Sequence, residues 1–263
     1  MKIHLLTTTA SARLPDTVAF WHQQGWHPST HYNDGRFPSW GRNEILRDWY
    51  HDTDEEWCCI ADDDITLFTD RNESTEFLRD PQVLLKHVPP QVRMITAMNG
   101  VRLAVNRIQQ ETPALAHNWQ LEQSWEMGKI VWVRRSAQLL LQRTDLRYSE
   151  DHEWAFQHLA RGWGTAICYN LVVRERGAST LFSADSRRES QAQRTRDIEH
   201  TQQRLMELYP EFELRQGVIQ RKRFLRRVRM EHNIPARWLI PFEHKSTEFN
   251  DRLKRIFDWN EAE

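Results

Sequence analysis

The sequence predicts an α/β protein. An open, mixed but mainly parallel sheet should carry helices on both faces, followed by a basic C-terminal extension of helical or hairpin character. Three observations lead there. Short apolar runs alternate with stretches whose apolar residues recur at helical spacing, the signature of alternating β and α units. One such run, Trp57–Ile60, ends directly in Asp62-Asp63-Asp64. Beyond residue 173 the charge balance reverses: residues 174–230 carry 14 Lys/Arg against 8 Asp/Glu.

The elements follow in order. Ile3–Thr8 is an apolar run suited to a buried first strand. Pro15 near the start and Gly25 at the end punctuate a helix containing Val18, Phe20 and Trp21. After a loop rich in Asn, Gly and Pro (Asn33–Trp40), residues Gly41–His51 place Ile45, Leu46 and Trp49 at helical spacing. Trp57–Ile60 is the next strand, and further strands are predicted at Val92–Ala97, Lys129–Val133 and Thr165–Val173. Ser149 is a candidate N-cap for a helix from Glu150 to Arg161 that Gly162 stops. The division that follows is a core over 1–173 and an extension over 174–263 packed on it.

Composition excludes several classes. No run approaches the roughly 18 apolar residues of a membrane span. The opening MKIHLLTTTA is too polar after Leu6 for a signal peptide. Three Cys, two of them adjacent (Cys58, Cys59), give neither a disulfide framework nor a zinc spacing, so a reducing cytoplasm is the expected location. The 12 His show no HxH spacing, and neither GxSxG nor a phosphate-cradling glycine loop is present. Net charge is −1, yet residues 174–230 hold +6 of it, against −5 before and −2 after.

Three constellations carry candidate chemistry. In an extended chain Asp62 and Asp64 face one way and Asp63 the other. Paired carboxylates at a strand end suit a hard divalent ion, Mg²⁺ or Mn²⁺, shared with substrate phosphates; the alternative is an acidic turn. Arg42 and Asn43 lie at the expected first turn of a helix, where free N–H groups and polar side chains meet a nucleotide, or where Asn simply caps the helix. Glu150 and Asp151 open another helix. The helix dipole alone favours acids there, while a functional reading makes Asp151 a general base.

In this order, Thr7-Thr8-Thr9, Arg42-Asn43, Asp62-Asp63-Asp64 and Glu150-Asp151 resemble the GT-A-fold glycosyltransferases, especially the inverting, family-2-like group, over roughly residues 1–173. The resemblance implies a GT-A-like sheet and a nucleotide-sugar donor such as a UDP-sugar. It places Thr7, Thr8, Thr9, Arg13, Arg42, Asn43, Asp62 and Asp63 around the donor nucleotide, and Asp62 and Asp64 on the metal. Asp151 becomes the base. The segments from Pro38 to Asn43 and from Ile60 to Ile65 also resemble bacteriophage TET-associated DNA glycosyltransferases, which implies hydroxymethylated pyrimidine in DNA, such as hydroxymethylcytosine, as acceptor.

The charge pattern is an independent pointer to DNA. Arg221, Lys222, Arg223, Arg226, Arg227 and Arg229 surround Phe224, a pattern suited to a phosphate backbone; the alternative is a solvated face neutralised by nearby acids. Trp119, Trp125 and Trp132 are candidates for stacking on an extruded base, or for core packing. Three other functions stay open: transfer to a glycan, a non-catalytic DNA-binding module, and a nuclease or nucleotidyltransferase using the clustered carboxylates.

Overall fold

The computed structural model describes residues 2–9, 11–23, 26–34, 36–68, 80–99, 118–125, 127–175, 191–216 and 218–241. In chain order the elements are β1 (Ile3–Thr7), α1 (Leu14–Gln23), β2 (Ser29–Tyr32), α2 (Pro38–Asp52), β3 (Trp57–Asp62), β4 (Ile65–Phe68), α3 (Asp80–His87), β5 (Val92–Asn99), β6 (Asn118–Gln123), β7 (Ile130–Arg134), α4 (Glu150–Leu159), β8 (Gly164–Glu175), α5 (Gln191–Leu208), β9 (Glu213–Arg215), β10 (Val218–Gln220), α6 (Lys222–His232) and β11 (Arg237–Pro241).

Nine strands form one sheet in the order β11-β6-β8-β5-β7-β3-β1-β2, with β4 pairing on β8. β1, β2, β3, β5, β8 and β11 run one way and β4, β6 and β7 the other, so the sheet is mixed and mainly parallel. The reversal that matters most is β7. It lies antiparallel between β3 and β5 and delivers its N-terminal end to the carboxyl end of β3. Ligands in open α/β sheets bind beyond the carboxyl ends of strands.

Alternation along β3 divides the core. Cys58 and Ile60 face α2, packing with Ile45, Leu46 and Trp49. Trp57, Cys59 and Ala61 face the opposite side with Phe20 and Trp21 of α1. Helix α4 reaches both layers, sending Trp154 and Ala155 to the first and Phe156 and Leu159 to the second. All three Cys are buried thiols. Among the described residues no helix is long and apolar enough to cross a membrane.

Two departures from the sequence reading bear on function. Helix α2 begins at Pro38 rather than Gly41, because proline is already set for a first helical turn. That moves Arg42 and Asn43 into the second turn. Gly41 then lies so close to β1 that a Cβ would collide with Leu6 Cδ1. The second concerns residues 174–263. They supply β11 to the main sheet and Phe224, Val228 and Trp238 to the core, so this part is woven into the sheet as well as packed on it.

Candidate functional site

The turn between β3 and β4 carries Asp62, Asp63 and Asp64, and its three carboxylates meet different partners. The strand ends at Asp62, so the simple alternation does not continue beyond it. Asp62 accepts from Arg42 Nη2 at 3.2 Å. Asp63 turns inward, accepting from Thr7 Oγ1 at 2.6 Å, while its backbone carbonyl accepts from Thr17 Oγ1 at 2.6 Å. These bonds tie the turn to β1 and α1. Asp64 Oδ2 accepts from Arg13 Nη1 at 3.0 Å and from Lys129 Nζ at 2.9 Å. Its other oxygen, Oδ1, is buried with no hydrogen-bond partner.

Arg42 bridges two parts of the site. Besides Asp62, its guanidinium reaches Glu150 Oε1 at 3.7 Å, at the start of α4. Burial works against its charge, but Asp62, Glu150 and Asp151 outweigh that and hold its pKa above the ordinary value. Burial pushes the Asp62 carboxyl up, with Arg42 and Lys129 pulling the other way. The Glu150 carboxyl rises to about 7, chiefly through burial, with Arg42 opposing and Asp151 adding to the rise. Arg42, Lys129 and Asp151 line a narrow recess with Ile60, Gly128, Val131, Gln142 and Trp154, with room for about one water molecule.

Lys129 was not legible in the sequence, since it arrives from 65 residues beyond Asp64. Its placement is firm. Thr96 Oγ1 accepts from Gly128 N–H at 2.8 Å and donates to the Ile130 carbonyl at 2.7 Å. The Lys129 carbonyl accepts from Asp62 N–H at 3.0 Å.

Several expected donor contacts fall elsewhere. Asn43, 2% exposed, does not line the recess. Its amide donates to the Gln142 carbonyl and accepts from the Gln142 N–H, each at 2.8 Å, because it lies three residues before Leu46 on the buried face of α2. Thr7 is buried against Asp63 rather than open to a nucleoside. Thr8 is half-buried, and Thr9 is exposed with its N–H on Asp34 Oδ1 at 2.8 Å. Ser149 is no side-chain cap. It takes a left-handed conformation (φ 57°) and makes no capping bond. Asp151 Oδ1 accepts from the His152 N–H at 2.8 Å.

The basic segment is α6, and its charges divide in two. Arg227 pairs with Glu211 and Glu231, each at 2.5 Å, and Arg223 pairs with Glu213 at 2.5 Å. Arg221 lies over the Phe156 ring at 5.7 Å. Lys222, Arg226 and Arg229 recur along one face, exposed and without an ion pair among the described residues. Of the tryptophans considered for stacking, Trp132 is in the core and Trp125 is half-buried against both core layers. The side chain of Trp119 lies outside the described residues. An exposed aromatic pair that the sequence reading passed over, Phe37 and Trp40, stands at the start of α2, with Arg147 over Phe37 at 5.0 Å.

The donor set can be tested against a divalent ion. Among the described residues no group of three His, Cys, Asp or Glu side chains is arranged to hold a metal. A magnesium-like ion asks for less, needing one or two carboxylates when substrate phosphates supply the rest. Asp62 and the unpartnered Oδ1 of Asp64 meet that requirement. Among the described residues, five carboxyl groups (Asp62, Asp63, Asp64, Glu150, Asp151) stand with three cations (Arg13, Arg42, Lys129).

No protein-family model and no curated protein matches this sequence. Among solved structures, the protein A197 from STIV is similar at 11% identity and a TM-score of 0.43, over 66% of this chain and 85% of its own. A glycosyltransferase involved in the glycosylation of the major capsid of PBCV-1 is similar at 10% identity and a TM-score of 0.29, over 60% of this chain and 66% of its own. Similarities at this level do not extend to an activity.

Proposed function

We propose that the chain is a metal-dependent inverting glycosyltransferase that moves a sugar from a nucleotide donor, such as a UDP-sugar, to hydroxymethylated pyrimidine in DNA. The observation that carries the reading is that Arg42, which lines one recess with Lys129 and Asp151, joins Asp62 of the aspartate turn to Glu150 at the helix start.

The chemistry suits those groups. In a single displacement the acceptor oxygen bonds to the sugar's anomeric carbon while the bond from that carbon to the donor phosphate breaks. The electron pair leaves on the phosphate oxygen, and the acceptor's proton passes to a carboxylate. Asp151 lines the recess and is that base. Glu150 beside it has a carboxyl near neutrality and is held by Arg42, which fixes the start of α4 relative to the aspartate turn. Asp62 and Asp64 would hold a Mg²⁺ or Mn²⁺ ion, which when bound supplies positive charge to the departing diphosphate.

Support for a DNA acceptor is the sequence resemblance and the solvent-facing row Lys222, Arg226 and Arg229. A glycan acceptor is the second reading. It is favoured by the neutralisation of Arg223 and Arg227 and by the exposed Phe37 and Trp40 near the start of α2. One experiment separates them: hydroxymethylcytosine DNA is incubated with the protein, Mn²⁺ and a panel of nucleotide sugars, and its nucleosides are analysed by mass spectrometry. A hexose or pentose mass gain, lost in Asp151→Asn, is the expected result. Donor turnover with no gain on DNA rejects the DNA acceptor, and no turnover of any donor rejects glycosyl transfer.

A further inference from the structure

We propose that Lys129 is a catalytic residue of this site, its ammonium moving from Asp64 to the phosphate oxygen on which the donor's diphosphate departs. The inference rests on the glycosyl-transfer reading and names a group that reading did not contain.

Among the described residues three cations border the aspartate turn, and they meet it differently. Arg42 holds Asp62 and Glu150 together, so withdrawing it would strand two buried carboxylates. Arg13 pairs with both Asp63 and Asp64. Lys129 meets Asp64 through the same oxygen that Arg13 already occupies. When Lys129 moves, Asp64 therefore keeps a charged partner. Removing an ion-pair partner from a buried carboxylate is most costly when none remains. Of the two cations on that Asp64 oxygen, Lys129 lines the recess and Arg13 does not.

Its position gives it somewhere to go. Lys129 lines the recess with Arg42 and Asp151, and its ammonium stands 2.9 Å from Asp64 Oδ2 in the aspartate turn. The backbone beneath it is pinned by Thr96 and by Asp62 N–H, while the side chain above is a flexible four-carbon stem. A fixed base and a rotatable ammonium suit a group that follows charge as it develops. The balance is simple: the ammonium donates a hydrogen bond to the departing oxygen and keeps its proton, and the acceptor's proton goes to Asp151. Donors aimed at developing oxyanion charge are worth about 100-fold or more in rate.

The test uses the full-length protein with Mn²⁺ and two probes, inorganic pyrophosphate and UDP, whose binding is measured by calorimetry for wild type, Lys129→Met and Lys129→Arg. Circular dichroism melts report folding of each variant. The expected result is pyrophosphate affinity weakened about tenfold in Lys129→Met, as for a lost charge-assisted hydrogen bond, and largely restored in Lys129→Arg. With the donor found in the transfer assay, kcat of Lys129→Met should fall far more than KM rises. Wild-type binding that Lys129→Met retains in full overturns the inference and leaves the transfer reading standing. Wild-type protein that binds neither probe overturns both. If Lys129→Met does not fold, Lys129→Gln is measured in its place, and pyrophosphate affinity at the wild-type level in that folded variant overturns the inference.

Discussion

Replacing Asn43 with alanine separates a structural from a nucleotide-binding role at one residue. Its side-chain amide makes two hydrogen bonds of 2.8 Å to the backbone of Gln142, one in each direction, and both ends are buried. Each bond contributes about 1 kcal/mol net, and each backbone group left buried without a partner costs about 1–3 kcal/mol more. Partial access of water to the collapsed site offsets some of this, giving an expected loss of about 3 kcal/mol. For a chain of this length that corresponds to a fall in Tm of roughly 6–12 °C. Urea unfolding followed by tryptophan fluorescence measures the loss. Nucleotide affinity, measured well below the lowered Tm, should change little. A stability change under about 1 kcal/mol together with a clear loss of nucleotide affinity would refute the assignment and restore Asn43 to the donor site.

Three further predictions follow from the same geometry. Because the Glu150 carboxyl is raised to about 7, the folded chain takes up its proton more readily than the unfolded one. Its contribution to stability is thus full below the ordinary carboxyl range and lost as pH rises through about 7. Glu150→Gln should therefore gain on wild type by up to about 3 kcal/mol between pH 4.5 and pH 8, and parallel denaturation curves with no such divergence would remove the effect. Alanine normally improves a helix interior by about 1 kcal/mol over glycine, yet Gly41→Ala should destabilise by about 1–3 kcal/mol because its Cβ meets Leu6. A rise in the denaturation midpoint would contradict that close approach. If DNA is the acceptor, Arg226→Ala and Arg229→Ala should each lower the salt dependence of DNA binding by about one unit of log–log slope, while Arg227→Ala, which breaks pairs with Glu211 and Glu231, should leave that slope nearly unchanged. Equal slopes for all three would mean that the row does not face the phosphates.

Much of the fold was legible wherever burial imposed a period on the chain. Trp57–Ile60 reads as a strand because both faces of β3 are covered, and the three aspartates stand at its carboxyl end. Polar strands were not legible. β2 is Ser-Thr-His-Tyr at an edge of the sheet, half of it exposed, and carries no apolar signal. In the site, the resemblance grouped Arg42 and Asp62 around one donor, while their direct ion pair could not be read from the chain. The interior role of Asn43 could not be read either, because its partner is the backbone of Gln142, 99 residues away. The α6 charges show the same limit. Arg223 and Arg227 read as free cations until the β9–β10 hairpin and the residues before it bring Glu213 and Glu211 against them.

The antiparallel β7 also has a temporal consequence during synthesis. The first three parallel strands and all three aspartates leave the ribosome well before Lys129, which follows Asp64 by 65 residues. At the usual elongation rates of about 5–20 residues per second, that interval is roughly 3–13 seconds. During it, β3 has an open edge where β7 will later insert, and among the described residues Arg13 and Arg42 are the cations already beside the acidic turn. The nascent chain thus passes through a stage with an exposed apolar strand edge and an acidic tip that lacks one of its ion pairs. The joining of β3 to β5 and the arrival of Lys129 on Asp64 both await the same short strand.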